Sequence, residues 1–268
     1  MLLNYYFVQQ LQKNVTNVLD VKINKVILNR AGSQTVIINN AVFKLAANQI
    51  YTIIGRNGSG KSTLTKALTG LLDKRFYSVY GEVLLAEKNL LSLNYNELKP
   101  IRKEKIKYVF QDAKNSFDQL KKFKYYFENI NAHQDEIKNV LDYLLLPKSE
   151  ELFKLHPFEV SGGMAQRISF ALAILSKPSL IILDEPTSGI DSAIANLFLL
   201  KLQEFVKLNS NSVLLVTQDL AFAKMISNKI SLLSNTTLSP FLSPSEFFES
   251  KSIFDDREII DSHLQISK

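Results

Sequence analysis

Cysteine is missing from the 268 residues, and the three histidines, His133, His156 and His263, lie far apart in the sequence. Without a thiol the chain can form neither a disulfide nor a thiolate metal site, and the histidines lack metal-ligand spacing. Disulfide-stabilised scaffolds and thiolate metal centres are therefore excluded, and the composition fits a cytosolic setting.

Long hydrophobic runs and internal repeats are also absent. The longest apolar stretches, residues 179–183 and 213–216, are far shorter than the roughly 18 residues of a membrane helix. The first ten residues lack the basic start, apolar core and cleavage site of a secretory signal, so we expect the chain to stay on the side of synthesis. We expect one soluble globular unit, for which a hydrophobic content of 46% is ample, and any membrane role must come through a partner.

Basic residues outnumber acidic ones, 32 to 26, which gives a formal charge of +6. This excess suits nucleic acid, an anionic membrane surface or a phosphorylated ligand, because charge steers encounters without naming the partner. Much of it is local, in residues 99–107 and 121–124, where a solvated surface is the simplest interpretation.

Short β-rich runs alternate with helical patterns, which is typical of a largely parallel sheet covered by helices. Two β-branched segments, residues 18–28 and 35–45, are separated by turn-prone residues 29–32 and predict an antiparallel pair. We therefore predict an α/β fold with an antiparallel β edge layer beside a parallel core. The predicted parallel strands cover residues 49–54, 106–110, 179–183, 212–217 and 229–233.

Between the second parallel strand and Pro157 the pattern changes to helices, predicted over residues 123–130 and 135–146. This change predicts an inserted α-helical subdomain at about residues 112–165.

Two prolines, Pro240 and Pro244, interrupt the chain after the last predicted strand. The sequence is therefore divided into an N-terminal extension (1–17), a main domain (18–240) and a C-terminal helical appendage (241–268).

A glycine-rich loop follows directly on the strand predicted at residues 49–54 and leads into a helical run at residues 64–72. Strand, glycine loop and helix form the context that a phosphate-binding loop requires. Glycines let backbone N–H groups face phosphate oxygens, and the helix N-terminus favours negative charge. Lys61 is placed to neutralise the β- and γ-phosphates of a nucleotide, and Ser62 to bind Mg²⁺. The predicted phosphate-binding residues are Gly55, Arg56, Asn57, Gly58, Ser59, Gly60, Lys61, Ser62 and Thr63.

The strand predicted at residues 179–183 ends in two carboxylates, Asp184 and Glu185. Burying the strand brings both acids to the carboxyl edge of the sheet, where ligands bind in α/β folds. We predict that Asp184 holds the Mg²⁺ shell and that Glu185 accepts a proton from an attacking water. Alone, the pair also suits a solvated turn, but the phosphate loop upstream favours the catalytic interpretation.

A second glycine loop, Ser161, Gly162 and Gly163 followed by Met164, stands just ahead of the acidic strand. It predicts another anion site at a helix N-terminus, and the alternative is a helix start with Ser161 as its cap. In combination with the phosphate loop and the carboxylates, this Ser-Gly-Gly core resembles the signature loop of ABC-family ATPases.

The resemblance implies a P-loop NTPase (RecA-like) core that binds ATP and Mg²⁺ and hydrolyses ATP. It also implies that Ser161, Gly162 and Gly163 serve the ATP of a partner, because ABC domains meet head to tail. With one copy of each motif here, the second ATPase must be another chain, identical or homologous. By family position Gln111 contacts Mg²⁺ and reports nucleotide state, while Asp191 couples the two sites. The alternatives are an arbitrary strand-end glutamine and a helix cap.

Two positions depart from the family pattern. Gln218 stands where the family has a catalytic histidine that contacts the γ-phosphate. A glutamine amide donates a hydrogen bond but cannot become cationic, so we expect slow hydrolysis, with a harmless replacement as the alternative. The family often stacks an aromatic residue on adenine, but Ile27 and Leu28 fall near that place. We expect apolar contact or Arg30 to hold the base.

Three stretches resemble the ATPases of bacterial peptide and nickel importers. They are residues 81–85 with 90–101, residues 110–112 running on to 116–118, and residues 156–164, the last with Met164 in place of the commoner glutamine. This resemblance implies a second, different ATPase chain, two transmembrane permease subunits and, indirectly, an extracytoplasmic substrate-binding protein. We predict a peripheral subunit on the cytoplasmic face of the membrane, importing peptides, nickel or metal chelates, with no nucleic acid partner. Aromatic and basic residues 117–127 either receive a permease coupling helix or pack within the helical subdomain.

Two other function classes stay open. One is a soluble ABC ATPase in DNA repair or translation, but the sequence has neither the long coiled coils of repair members nor the two ATPase domains usual in ribosomal ones. The other is a regulatory subunit that binds ATP with little turnover, which Gln218 suggests and Glu185 argues against.

Overall fold

The computed structural model describes residues 17–30, 32–208 and 210–250, so most of the predicted N-terminal extension and residues 251–268 of the predicted appendage lie outside it. Its strands are β1 (Asn17–Arg30), β2 (Ser33–Ala46), β3 (Gln49–Ile54), β4 (Tyr77–Leu85), β5 (Lys88–Asn89), β6 (Ile106–Val109), β7 (Leu180–Asp184), β8 (Ser212–Thr217), β9 (Lys229–Ser234) and β10 (Thr237–Leu238).

The helices in the described residues are α1 (Lys61–Leu68), α2 (Tyr95–Glu104), α3 (Ala113–Ser116), α4 (Phe123–Glu128), α5 (Gln134–Tyr143), α6 (Ser149–Leu152), α7 (Gly162–Leu175), α8 (Ser192–Lys207), α9 (Leu220–Ile226) and α10 (Pro244–Glu249). A short 3-10 helix, Pro157–Glu159, precedes α7. Within this part of the chain, none of the helices has both the length and the apolar character needed to span a bilayer.

The antiparallel layer has the strand order β2-β1-β4-β5. Side chains alternate across it, so Val21 and Ile23 are fully buried while Lys22 between them is exposed. β1 pairs with β2 on one side and with β4 on the other, and its register shifts at two points against β2 and at one point against β4. The predicted antiparallel pair is confirmed.

The second sheet has the order β10-β9-β3-β8-β7-β6, in which β3, β6, β7, β8 and β9 are parallel. All residues of β7 and β8 are buried, as expected for strands covered on both faces. Ile54 lies opposite Thr217, and Asp184 lies opposite Val216. The carboxyl ends of β3, β7 and β8 therefore lie at the same edge of the sheet. The five predicted parallel strands and the α/β core are confirmed, with each strand boundary within one residue.

The helices between β6 and α7 share one hydrophobic core with α7 and the sheet. Phe123 and Phe127 of α4 are buried in it together with Leu141 of α5. The predicted helix at residues 135–146 ends earlier, at Tyr143, because Leu145 adopts a positive φ of 53° and Pro147 follows.

The chain after Pro240 is attached to both sheets. The Phe241 ring packs edge-on against Phe43 and Tyr51, with centroid distances of 5.4 and 5.2 Å. Phe247 of α10 is buried in a cluster with Ile54 and residues of β9. Residues 241–249 therefore pack on the main body of the protein.

Candidate nucleotide-binding site

The phosphate loop lies between β3 and α1 and depends on glycine at specific positions. Gly58 and Gly60 have φ values of 80° and 102°, in the region that favours glycine. A Cβ on Gly55 would come within 2.6 Å of the Leu233 carbonyl oxygen. Ser59 Oγ is buried above Gly55 and has no hydrogen-bond partner among the described residues. The loop therefore presents a buried, unused hydroxyl, as expected where a polar ligand binds.

Lys61 begins α1 and is only 5% exposed. Its ammonium group donates to the carbonyl oxygens of Gly55 at 2.8 Å and Arg56 at 3.1 Å. It also lies 3.2 Å from Glu185 Oε1, and both side chains of this ion pair are buried. The cation is thus held at the phosphate loop and forms an ion pair with the predicted general base, whose Oε1 is buried and accepts no hydrogen bond from the described residues.

Glu185 follows β7 in an uncommon backbone conformation, with φ of 47°. A left-handed non-glycine residue costs on the order of 1–3 kcal/mol and persists only where its surroundings fix it. The Glu185 N–H donates to the Val216 carbonyl at 2.9 Å, and Oε2 accepts from the Gln218 N–H at 3.2 Å. The end of β8 therefore fixes both the backbone and the carboxylate of Glu185.

Asp184, at the end of β7, is 3% exposed, and both of its carboxylate oxygens are bonded. Oδ1 accepts from Ser62 Oγ at 2.9 Å, and Oδ2 accepts from the Tyr108 hydroxyl, also at 2.9 Å. Burial, followed by the nearby Asp184 charge, raises the pKa of Tyr108 well above its ordinary value, so the phenol stays protonated. The structure thus brings together Ser62 and Asp184, as the sequence predicted.

The second glycine loop opens α7, and Ser161 caps that helix by accepting from the Met164 N–H at 3.2 Å. Gly163 packs against the loop before α8, where a Cβ would lie 3.7 Å from Gly189 O. Asp191 caps α8 by accepting from the Ile194 N–H at 2.9 Å. Both caps foreseen as alternatives are present, and Ser161 and Asp191 remain exposed at the surface.

Comparison with known proteins accounts for this set of motifs. The family model described as "ABC transporter" matches residues 38–188, more than half of the chain. The chain belongs to the ABC transporter family. Such a chain is an ATP-binding ATPase subunit, and the phosphate loop, the acidic strand and the signature loop described above are its expected parts.

Among curated relatives, the ABC chain is 29% identical to the oligopeptide transport ATP-binding protein OppD of Escherichia coli over 228 residues, which cover 82% of this chain and 67% of OppD. It is 31% identical to the metal-staphylopine import system ATP-binding protein CntD of Staphylococcus aureus, over 75% of this chain and 78% of CntD. These relatives confirm the predicted similarity to importer ATPases.

Among solved structures, the dimeric ATP-binding cassette MJ0796 bound to ADP and Pi superposes with a TM-score of 0.73 at 22% identity, covering 84% of this chain and 98% of MJ0796. CbiO1 from Clostridium perfringens, part of an ABC transporter complex, gives a TM-score of 0.67 at 22% identity and covers 93% and 97% of the two chains. Both confirm the ABC ATPase fold.

Two of the residues predicted to act in the ATP site, Gln111 and Gln218, are exposed. Gln218 contacts the site through its backbone, which donates to Glu185, and the next residue, Asp219, caps α9. The structure therefore places both glutamines at the sheet edge beside the acidic strand, with their amides directed to the surface.

Two aromatic residues, Phe76 and Tyr77, lie beside the end of β1, next to Leu28. Leu28 lies opposite Tyr77 across the β1–β4 ladder, and the Asn29 N–H donates to the Phe76 carbonyl at 2.7 Å. The Arg75 guanidinium lies 5.5 Å from the centre of the half-exposed Phe76 ring. The sequence signal was the first strand after α1, β4, whose pairing with β1 places Tyr77 beside Leu28.

The donor set suits Mg²⁺ bound with a nucleotide. Ser62 Oγ and Asp184 Oδ1 are hard oxygen donors 2.9 Å apart, and Mg²⁺ is usually held by one or two carboxylates together with waters and substrate phosphates. No group of three or more acidic, histidine or cysteine side chains able to hold a metal occurs in the described residues. A metal held here needs phosphate oxygens, which the adjoining loop is built to bind.

Proposed function

We propose that this chain binds ATP with Mg²⁺ at the edge of its parallel sheet and hydrolyses it to drive an importer. The contact that carries the proposal is the buried pair of Lys61 with Glu185, set beside the Ser62 and Asp184 pair. A cation, a fixed carboxylate and two oxygen donors are the groups that phosphoryl transfer to water uses.

Each residue has a defined task. Backbone N–H groups of residues 55–63 bind the phosphates at the N-terminus of α1, and Lys61 neutralises the β- and γ-phosphates. Ser62 and Asp184 would hold Mg²⁺, with Gln111 as a further ligand. When bound, this ion neutralises the charge that develops on the phosphate oxygens. Glu185 orients the attacking water and takes its proton.

The Lys61 and Glu185 ion pair has to open before catalysis. In the arrangement described here Lys61 occupies one oxygen of the base, and the Gln218 N–H occupies the other. Phosphate oxygens that attract Lys61 release Glu185 Oε1 for water. ATP binding thereby prepares the general base, and Glu185 stays paired while the site lacks its substrate.

The Gln218 side chain is proposed to contact the γ-phosphate in place of the family histidine. An amide donates a neutral hydrogen bond, which is about half as strong as one from a charged donor. Slow hydrolysis follows, and the chain would serve as the weaker site of an asymmetric pair.

A second ATPase chain, different from this one, completes each ATP site through the exposed signature residues Ser161, Gly162 and Gly163. Asp191, on the loop that contacts Gly163, would connect the two sites across the interface. The MJ0796 cassette is described as dimeric in its ADP- and Pi-bound structure, which agrees with a paired arrangement.

The membrane partners are proposed to be two permease subunits, which dock at a groove between α2, α4 and α7. Lysines from α2 and β6 line one wall, and Tyr125 and Tyr126 line the other, around a cavity of about 560 Å³. The phenylalanines of residues 117–127 are buried in the core, so packing explains them, while half-exposed Tyr125 remains available to a partner. This docking would place the subunit on the cytoplasmic face of the membrane.

The imported solute is proposed to be a peptide or a metal chelate, as the names of OppD and CntD describe for those relatives. Nickel belongs to the same proposed range. An extracytoplasmic binding protein would deliver the solute to the permeases, and this ATPase would have no contact with it.

Affinity purification of the tagged chain from its native membranes tests this function. We expect two permeases and a second ATPase to accompany it, together with ATP hydrolysis that requires Mg²⁺. Recovery of the chain in the soluble fraction, bound to nucleic acid or ribosomes, would contradict the transport proposal and favour a repair or translation ATPase. If the assembled complex hydrolyses ATP equally well when this chain carries Glu185→Gln, this chain is a regulatory subunit.

A further inference from the structure

Tyr108 has no role in the predicted site, yet its hydroxyl reaches the proposed metal ligand Asp184. It lies in the middle of β6, opposite Ile182 of the neighbouring strand β7. The hydroxyl is 2.9 Å from Asp184 Oδ2 and 2.8 Å from Thr65 Oγ1. The Tyr108 ring is fixed from the other side by Phe110, with 4.4 Å between the ring centroids.

The direction of these hydrogen bonds follows from the available protons. An ionised carboxylate only accepts, so the Tyr108 hydroxyl donates its single proton to Asp184. The Tyr108 oxygen then accepts from the Thr65 hydroxyl, which is fully buried one turn after Lys61 on α1. The Thr65 hydroxyl also lies 3.2 Å from the Lys61 and Ser62 carbonyl oxygens, farther than the 2.8 Å to Tyr108. The chain of donors runs from Thr65 through Tyr108 to Asp184 Oδ2, and Ser62 donates separately to Oδ1.

Both bonds to Asp184 are compatible with a bound Mg²⁺. The Ser62 hydroxyl would offer a lone pair to the metal while its proton stays hydrogen-bonded to Asp184 Oδ1. The Tyr108 bond holds the other oxygen, Oδ2, and would keep the buried carboxylate from rotating away. We propose that Tyr108 is a positioning residue that orients Asp184 for Mg²⁺, an inference that rests on the proposed ATP and Mg²⁺ function.

Equilibrium binding of a fluorescent ATP analogue to the purified full-length chain tests this role, measured with Mg²⁺ and again with EDTA. Tyr108→Phe keeps the ring and removes only the hydroxyl. A hydrogen bond to a charged group contributes enough to change an equilibrium about tenfold. We expect Tyr108→Phe to reduce the Mg²⁺-dependent gain in affinity by about tenfold and to leave the affinity in EDTA within about twofold of wild type.

Tyr143→Phe is the matched control, because it removes a phenol that donates to the Leu197 carbonyl on α8. Its Mg²⁺ dependence should equal that of the wild type. If Tyr108→Phe keeps the full Mg²⁺ gain, or loses affinity equally with and without the metal, the positioning role is wrong. A wild-type chain that binds no nucleotide at all would refute the proposed function and this inference together.

Thr65 provides a second test that does not depend on the folding of Tyr108→Phe. Thr65→Val removes the hydroxyl that orders Tyr108, whereas Thr65→Ser retains it. We expect the valine variant to reduce the Mg²⁺ gain about threefold, less than Tyr108→Phe, because the bond to Asp184 remains. The serine variant should keep that gain. Equal losses in both Thr65 variants would overturn the proposal, since side-chain packing and not the hydroxyl would then be responsible.

Discussion

Lys61 and Glu185 are buried and form an ion pair with each other, whereas Ser161 and Gln218 are exposed on the same molecule. The first pair belongs to an edge of the sheet where the chain satisfies its own charges. Ser161 and Gln218 lie at the surface. Their internal contacts are the helix cap that Ser161 forms with the Met164 N–H and the bond from the Gln218 N–H to Glu185. The difference indicates that the phosphate and acidic motifs are organised within one chain, and it agrees with the proposal that nucleotide and a partner complete the signature loop and the γ-phosphate contact.

The largest expected effect comes from Glu185→Gln, which keeps the shape of the side chain and removes the base. Loss of a general base lowers the rate by about a hundredfold or more, so hydrolysis should almost disappear while ATP binding persists. Phosphate release in a single turnover measures this. Glu204→Gln, which changes an exposed α8 carboxylate paired with Lys201, is the control and should hydrolyse normally. An undiminished rate in Glu185→Gln would remove Glu185 from catalysis.

The buried ion pair itself is tested by Lys61→Met, which leaves Glu185 buried without its cation. Breaking a buried pair costs about 3 kcal/mol or more, and removing the second charge recovers much of that loss. We expect the Lys61→Met, Glu185→Gln double variant to be more stable than Lys61→Met alone in urea unfolding. If the second change destabilises further, the two side chains do not interact as described.

Gln218→His tests whether the exposed Gln218 side chain limits the rate of hydrolysis. An imidazolium would add a charged donor near the γ-phosphate, so we expect hydrolysis by the assembled complex to rise about tenfold. Gln203→His on α8 is the matched control and should leave the rate unchanged. A hydrolysis rate that is unchanged in Gln218→His would support the alternative, in which glutamine replaces the family histidine without loss of activity.

Ser161→Ala has the smallest expected effect on the isolated chain. Loss of the α7 cap should lower the free energy of unfolding by about 1 kcal/mol and leave ATP affinity unchanged. Ser243→Ala removes the comparable cap of α10 and serves as the control. In the assembled complex only Ser161→Ala should impair hydrolysis. Equal activity of the two variants would assign Ser161 to capping alone.

Much of this arrangement was predictable because strand patterns and glycine loops are local in sequence. The phosphate loop and Asp184 have fixed spacing from the buried strands that precede them, so their meeting at one edge follows from parallel topology. Tyr108 was missed because it reaches Asp184 from a neighbouring strand, and the sequence does not state which strands are neighbours. The pairing of Lys61 with Glu185 depends on side-chain conformations, which motif spacing leaves open.

Cross-linking from Ser161 tests most directly whether the exposed signature loop contacts the ATP site of a partner chain. Because the natural chain has no cysteine, Ser161→Cys provides a single thiol for a short thiol-specific cross-linker in native membranes. We predict that ATP and Mg²⁺ produce one product that joins this chain to the phosphate loop of a second ATPase, and that omitting nucleotide removes it. A chain that stays uncross-linked with ATP, or gives the same product without it, would contradict the account.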